Sequence, residues 1–181
     1  ELKKANAKYE AAEKARKEAE EKAKAEEEAR KKAEEEYKKY VNLDDALVLD
    51  VNGNIKEGVK AFDVDIKKEY KDKNMKDADR NFPLFVAELD GKKAYVIPVV
   101  GKGLWGPIWG FIALEGDMNT IFGATFDHKT ETPGLGAEIN QSWFEEPFVG
   151  DKIFDDAGAF VSVKVVKGGA DAADMHGVDA I

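Results

Sequence analysis

Neither glycine nor proline occurs in the first forty residues of this chain, whereas fourteen of its sixteen glycines lie after residue 90. A chain divided in this way is expected to fold as two unlike parts. Residues 1–40 are mostly Ala, Glu and Lys, which favour helix at nearly every position. The run predicts a rod of roughly 60 Å at 1.5 Å per residue. Opposite charges fall four apart at Glu10–Lys14, Glu13–Lys17 and Glu27–Lys31, a spacing that supports a solvated helix. An alanine seam runs through Ala5, Ala12, Ala19 and Ala33, with Ala15 and Ala29 beside it, and Glu26 interrupts it. Small residues bury little area, so the stretch reads as a solvated stalk, with a coiled-coil partner as the alternative.

Beyond the stalk the periodicity changes. Asn42-Leu43-Asp44-Asp45 marks a break. Ala46 to Val51 predicts a strand, Asn52-Gly53 a hairpin turn and Ile55 onward the return. The charged stretch from Asp63 to Arg80 predicts helix plus loop. Leu84 to Leu89 and Lys93 to Val100 predict strands around a second hairpin signal, Asp90-Gly91. Trp109 to Leu114 and Thr120 to Phe126 predict two more, followed by short helices over Gly134–Asn140 and Ser142–Glu146. Phe148 to Phe154 reads as the exit, and Ile153-Phe154 and Val161 to Val166 as the last strands. The pattern specifies an α+β domain with a twisted, largely antiparallel sheet and flanking helices, preceded by a long charged helix. Tyr95 to Leu114 has the length of a membrane span, but Lys102, Pro98, Pro107 and four glycines make it strand, turn and strand.

Charge and composition narrow the function. The first forty residues hold 13 basic and 12 acidic side chains, so the remainder carries 15 basic and 25 acidic ones, a net of −10. Such a domain is a poor nucleic-acid binder, because phosphate contacts require Lys and Arg. There is no cysteine, which excludes thiolate-held iron–sulfur clusters, disulfides and thiol redox chemistry. The two histidines, His128 and His176, are far apart, and no spacing suggests a metal site. No Ser-His-Asp or Cys-His arrangement is present either. Any redox function would therefore come from a bound cofactor.

One turn has the form for that. In Glu131-Thr132-Pro133-Gly134-Leu135-Gly136, Pro133 fixes one φ angle, and Gly134 and Gly136 let the backbone approach a flat ligand without a Cβ. The turn lies in HKTETPGLGAEINQSWFEEPFVGDKIF, from His128 to Phe154. Upstream is GKGLWGPIWGFIALEGD, from Gly101 to Asp117. Downstream are Trp143, Phe148-Val149-Gly150-Asp151-Lys152, VKVVKGGA from Val163 to Ala170, and His176-Gly177-Val178-Asp179-Ala180-Ile181. These stretches, in this order, resemble the flavin-binding C-subunit family of the sodium-translocating NADH:quinone reductase, over roughly residues 41 to 181. The Thr-Pro-Gly-Leu-Gly turn is shared with the G component of the Rnf complex. Gly103-Leu104-Trp105 and the Val-Lys-Gly-Gly stretch favour the reductase.

The resemblance implies an FMN-binding domain whose cofactor relays single electrons. It places Leu104, Trp105, Glu131, Thr132, Pro133, Gly134, Leu135, Gly136 and Lys164 around FMN. Thr132 would donate its hydroxyl to the ring or cap the turn, and Leu135 would be an apolar lid. Leu104 and Trp105 would pack on the ring or serve the core. Glu131 would bond a ribityl hydroxyl or hold the turn through its own backbone. Lys164 or Lys167 would neutralise phosphate charge, or remain exposed. His128 carries no catalytic duty in this reading. In the family a Ser-Gly-Ala-Thr-x-Thr segment follows the equivalent of Val178-Asp179-Ala180-Ile181, and its last threonine is esterified to the FMN phosphate. FMN is thus expected to be covalent in the full-length protein, and absent or non-covalent on a chain ending at Ile181. Phe122-Gly123-Ala124-Thr125 mimics the attachment motif but precedes the turn, inside an apolar run, so Thr125 reads as a strand residue.

The resemblance further implies partners among the other components of the reductase. It implies a single membrane helix ahead of Glu1, itself expected to open a fragment or processed form, and a domain on the outer side of the bacterial inner membrane. A non-redox tether, in which the turn is only a fold element, is the contrasting reading.

Overall fold

A computed structural model describes residues 2–39, 41–89, 91–171 and 174–180. Glu1, Asp90 and Ile181, on which parts of the sequence reading fall, lie outside the described residues, as do the side chains of Ala5, Glu10, Glu26 and Ala33. The chain divides into two compact units, Glu1–Lys39 and Tyr40–Ile181.

The first unit is helix α1, Leu2–Tyr37. Its described side chains are almost all exposed, including Ala12, Ala15, Ala19 and Ala29 of the seam. Two expected ion pairs form, Lys17–Glu13 at 3.3 Å and Lys31–Glu27 at 2.8 Å. Lys14 pairs with Glu18 at 3.8 Å, and Arg16 with Glu20 at 3.0 Å. Each such exposed pair contributes about 0.3–0.5 kcal/mol. No helix among the described residues is long and apolar enough to cross a membrane.

The second unit is built on a five-stranded antiparallel sheet in which every strand pairs with its neighbour in sequence. The strands are β1 (Val41–Leu49), β2 (Phe82–Leu89), β3 (Lys92–Lys102), β4 (Pro107–Leu114) and β5 (Ile121–His128). Tyr95–Leu114 is therefore two strands and their turn. The break expected at residues 42–45 lies within β1, as a register shift between Asn42 and Leu47. Asn42 accepts from the Asp44 N–H at 3.1 Å and donates its Nδ2 to Asp45 at 2.7 Å, so side chains satisfy the irregular stretch. The hairpin at Asn52-Gly53 forms, with Gly53 at φ +81°. Its return arm is a single bridge, Leu49 to Ile55. Beyond it the polar run Lys56-Glu57-Gly58 has no apolar alternation, and β1 pairs with β2 instead.

Between β1 and β2 the chain forms α2 (Ile66–Lys71), whose first turn is capped by the Asp65 carboxylate accepting from Lys68 N–H at 2.9 Å. Lys67 sits 4.2 Å above the Trp109 ring of β4, so α2 packs over one face of the sheet. The other face carries the core: Leu114, Ile121 and Ala124 meet Phe144, Phe148 and Val178. Phe144 and Phe148 come from α3 (Ser142–Glu145) and a 3₁₀ turn, Glu146–Phe148, where the sequence suggests helix and then exit. Phe126 meets both rings, at centroid distances of 5.9 and 5.1 Å. The same segment covers the outer edge of β5. Glu145 accepts from Phe126 N–H at 2.7 Å, and Ile121 N–H donates to the Asp151 carbonyl at 2.8 Å.

The last strands differ from expectation. Only Lys164–Val166 (β6) is a strand, and it pairs in parallel with Gly177–Asp179 (β7), which the sequence does not signal. Phe154 and Phe160 form a single bridge.

Candidate functional site

The loop leaving β3 and the turn leaving β5 meet at one buried carboxylate. Glu131 is 8% exposed. Its Oε1 accepts from the backbone N–H of Trp105 at 2.8 Å and of Gly106 at 3.0 Å. Residues 103–106 themselves form a tight turn, with Gly103 N–H donating to the Gly106 carbonyl at 2.7 Å. A second tie runs beside it: the Thr130 hydroxyl donates to the Trp105 carbonyl at 3.0 Å.

Glycine is required where these loops touch. A Cβ on Gly103 would lie 2.4 Å from Glu131 Oε1, and one on Gly106 would lie 2.4 Å from Thr130 Oγ1. A Cβ on Gly136 would lie 3.0 Å from Glu131 Oε2, so three glycines on two backbone segments crowd this pair of side chains. Gly134 is needed for another reason: its φ is +73°, and a Cβ there would meet nothing within 4 Å.

The turn is held from inside. Leu135 and Ala137 both donate backbone N–H groups to the Thr132 carbonyl at 3.1 Å. Gly134 N–H donates to Glu138 Oε1 at 2.7 Å, from the 3₁₀ turn Gly136–Asn140 that follows. At the start of the bend, His128 Nδ1 accepts from Glu131 N–H at 3.2 Å. His128 thus serves as the hinge post between β5 and the turn.

The side chains that surround the clamp point outward. Leu104 is 81% exposed, Trp105 66% and Leu135 59%. Each is next in sequence to a glycine that touches Glu131 or Thr130. Thr132 and Pro133 are exposed as well. The structure therefore brings together Leu104, Trp105, Glu131, Thr132, Pro133, Gly134, Leu135 and Gly136. Lys164 lies on β6, exposed and in register with Gly177, outside the hydrogen bonds and close contacts of this cluster. Lys167 is exposed just after β6. Thr125 is a β5 residue opposite Phe111. Sequence reasoning misses Gly103, Gly106 and Thr130 as members of the cluster; the spacing of two glycines around Leu104-Trp105 is the available signal. Among the described residues, no group of three or more His, Cys, Asp or Glu side chains could hold a metal ion.

Comparison with known proteins identifies the family. The FMN-binding domain family model matches residues 103–181, a span that contains both halves of the clamp. The crystal structure of the C subunit of Na(+)-translocating NADH-quinone reductase from Parabacteroides distasonis superposes with a TM-score of 0.69 at 41% identity, covering 83% of this chain and 70% of that one. The chain belongs to this C-subunit family, NqrC.

Other members agree. NqrC from Shewanella oneidensis gives a TM-score of 0.65 at 32% identity, covering 82% of this chain and 73% of that one. The Na(+)-translocating NADH-quinone reductase C subunit of Vibrio anguillarum is 46% identical over 86 residues, 48% of this chain and 33% of the relative. That of Vibrio campbellii is 39% identical over 113 residues, 62% of this chain and 43% of the relative. This chain thus spans less than half the length of those two curated relatives. The fold shared with the solved NqrC structures is the α+β arrangement described above.

Proposed function

We propose that this chain is an electron-transfer flavoprotein subunit of a sodium-translocating NADH:quinone reductase, relaying single electrons through an FMN seated on the Glu131–Gly136 turn. The observation that carries this reading is the Glu131 clamp, which locks the Leu104-Trp105 loop to the turn bearing Leu135. The donor set fits a flat, largely apolar ring. Three exposed apolar side chains surround a turn whose Gly134 leaves open space where a Cβ would be. When bound, FMN supplies the electron transfer.

The chain's own groups bind and orient it. Leu104, Trp105 and Leu135 shield ring surface from water, and Thr132, Pro133, Gly134 and Gly136 present backbone and hydroxyl groups at close range. Glu131 positions these parts through the two amides it holds. Lys164 would supply positive charge toward the phosphate. The names of the relatives support assembly with the other components of the reductase. The same reading includes covalent attachment through a threonine beyond Ile181 and a membrane helix ahead of Glu1. The domain would then sit on the outer, periplasmic side of the bacterial inner membrane.

Two measurements test it. On this chain, FMN titration followed by quenching of flavin fluorescence is expected to saturate. Trp105→Ala and Leu135→Ser should each weaken it about tenfold, roughly 1.4 kcal/mol, with the fold retained because both side chains are exposed. Equal binding by all three proteins would overturn the placement. On the complete gene product, flavin absorbance should survive acid precipitation, and loss of all colour on precipitation would overturn the covalent attachment. Gly134→Val is a poor probe, since the positive φ strains any side chain there with or without a ligand.

A further inference from the structure

A second concave site lies in the same unit and takes no part in the clamp. It is a cleft of about 460 Å³ between the Trp143–Pro147 segment and residues 170–171 and 174–180. Four carboxylates line it, from Asp151, Asp171, Asp174 and Asp179, and among the described residues no Lys or Arg does. Trp143, 53% exposed, forms part of its wall.

Asp151 gives the cleft its meaning. It is 9% exposed, and its Oδ2 has no hydrogen-bond partner among the described residues. A buried acceptor left unpaired costs about 1–3 kcal/mol, more when charged, so a hydrogen-bonding or cationic group in the cleft would stabilise it. The neighbours are otherwise engaged. Asp174 Oδ1 accepts from His176 N–H at 3.0 Å, and Asp179 Oδ1 accepts from Ala170 N–H. The His176 ring is tied through Nδ1 to the Lys152 carbonyl at 2.6 Å. Burial first, and then the charge of Asp174, push the Asp151 carboxyl above the ordinary carboxylate range, partly offset by His176. A cation in the cleft would relieve both effects.

The kind of cation follows from shape. A bare metal ion needs several ligands converging on one point, and the described residues offer no such group. The cleft is also many times larger than an ion. An aromatic wall beside carboxylates suits a planar, delocalised, donor-rich ion that stacks and hydrogen-bonds at once. We propose that the cleft under Trp143 is the receptor for a guanidinium group, the arginine side chain of a basic partner protein. The net charge of −10 on residues 41–181 would steer such a partner toward it.

The test uses N-acetylarginine amide as probe, with the matched lysine and citrulline compounds, and reads amide shifts of Ala170, Gly177 and Ala180 in two-dimensional NMR. Saturable shifts are expected with the arginine compound, at least about tenfold tighter than with citrulline. Asp151→Asn should weaken binding by about tenfold and Asp174→Asn by about threefold, with the rest of the spectrum unchanged. Trp143→Leu should cost about threefold, as expected for a stacked wall. Should Asp151→Asn fail to fold, Asp174→Asn and Trp143→Leu decide. No saturation, equal binding of citrulline, equal binding of lysine, or indifference to these substitutions would each overturn the assignment.

Discussion

Glu131 and Asp151 are both carboxylates buried in the same unit, and the fold treats them in opposite ways. Glu131 receives two backbone N–H groups on one oxygen, and glycines at 103 and 136 make room for it. Asp151 has one oxygen with no partner among the described residues and a like charge nearby. A buried acid of the first kind is a structural bolt, and its desolvation is offset by fixed dipoles. One of the second kind is a cost carried by the native state, and a cation in the proposed cleft would lower it. Burial alone therefore does not reveal a carboxylate's role; its hydrogen-bond partners do.

The sharpest way to break this contrast is Glu131→Ala. It leaves the Trp105 and Gly106 amides unpaired, which costs about 1–3 kcal/mol, and should loosen the loop carrying Leu104 and Trp105. Thermal unfolding and FMN titration should both weaken, with Glu131→Gln intermediate because one acceptor oxygen survives. Unchanged values for Glu131→Ala would remove the clamp from the account.

Gly103→Ala approaches the bolt from the other side. Its new Cβ would lie 2.4 Å from Glu131 Oε1, and the forced shift should cost about 1–3 kcal/mol in a urea unfolding series.

Asp151→Asn should move stability in the opposite direction. A carboxyl whose folded pKa is raised destabilises the native state wherever the unfolded chain is ionised, so the substitution should raise the unfolding midpoint at neutral pH. The gap between the two proteins should close as pH falls through the raised pKa and vanish below the ordinary carboxylate value. A gap that widens on acidification would reverse the reading of Asp151.

The smallest effect belongs to the other unit. Lys17→Ala deletes an exposed pair with Glu13 and should alter helix content and stability by no more than about 0.5 kcal/mol. A loss of helicity visible by circular dichroism would mean that α1 depends on its charge ladder more than such pairs normally allow.

Much of this was legible in residues. The apolar runs Leu84–Leu89, Lys93–Val100 and Trp109–Leu114, separated by glycine-bearing turns, announced β2, β3 and β4, and the Pro133-Gly134 step announced a turn. What failed did so for local reasons. Asn42 and Asp44–Asp45 look like a break because their side chains compete for backbone groups, yet here they satisfy a bulge inside a strand. β7 is three residues long, too short for any periodicity to show. The partners of Glu131 are backbone amides some 25 residues away, and amides leave no trace in a sequence. The glycines that make room for it were the only written sign.

The neighbour-to-neighbour order of the five strands bears on how the molecule comes into being. Each strand after β2 finds its mate only a few residues back, so loop-closure entropy stays low and pairing can proceed hairpin by hairpin as the chain leaves the ribosome. The costliest closure is that of β1 on β2, which spans residues 50–81. The Glu131 turn follows β5, so every strand of the five-stranded sheet precedes it in the chain.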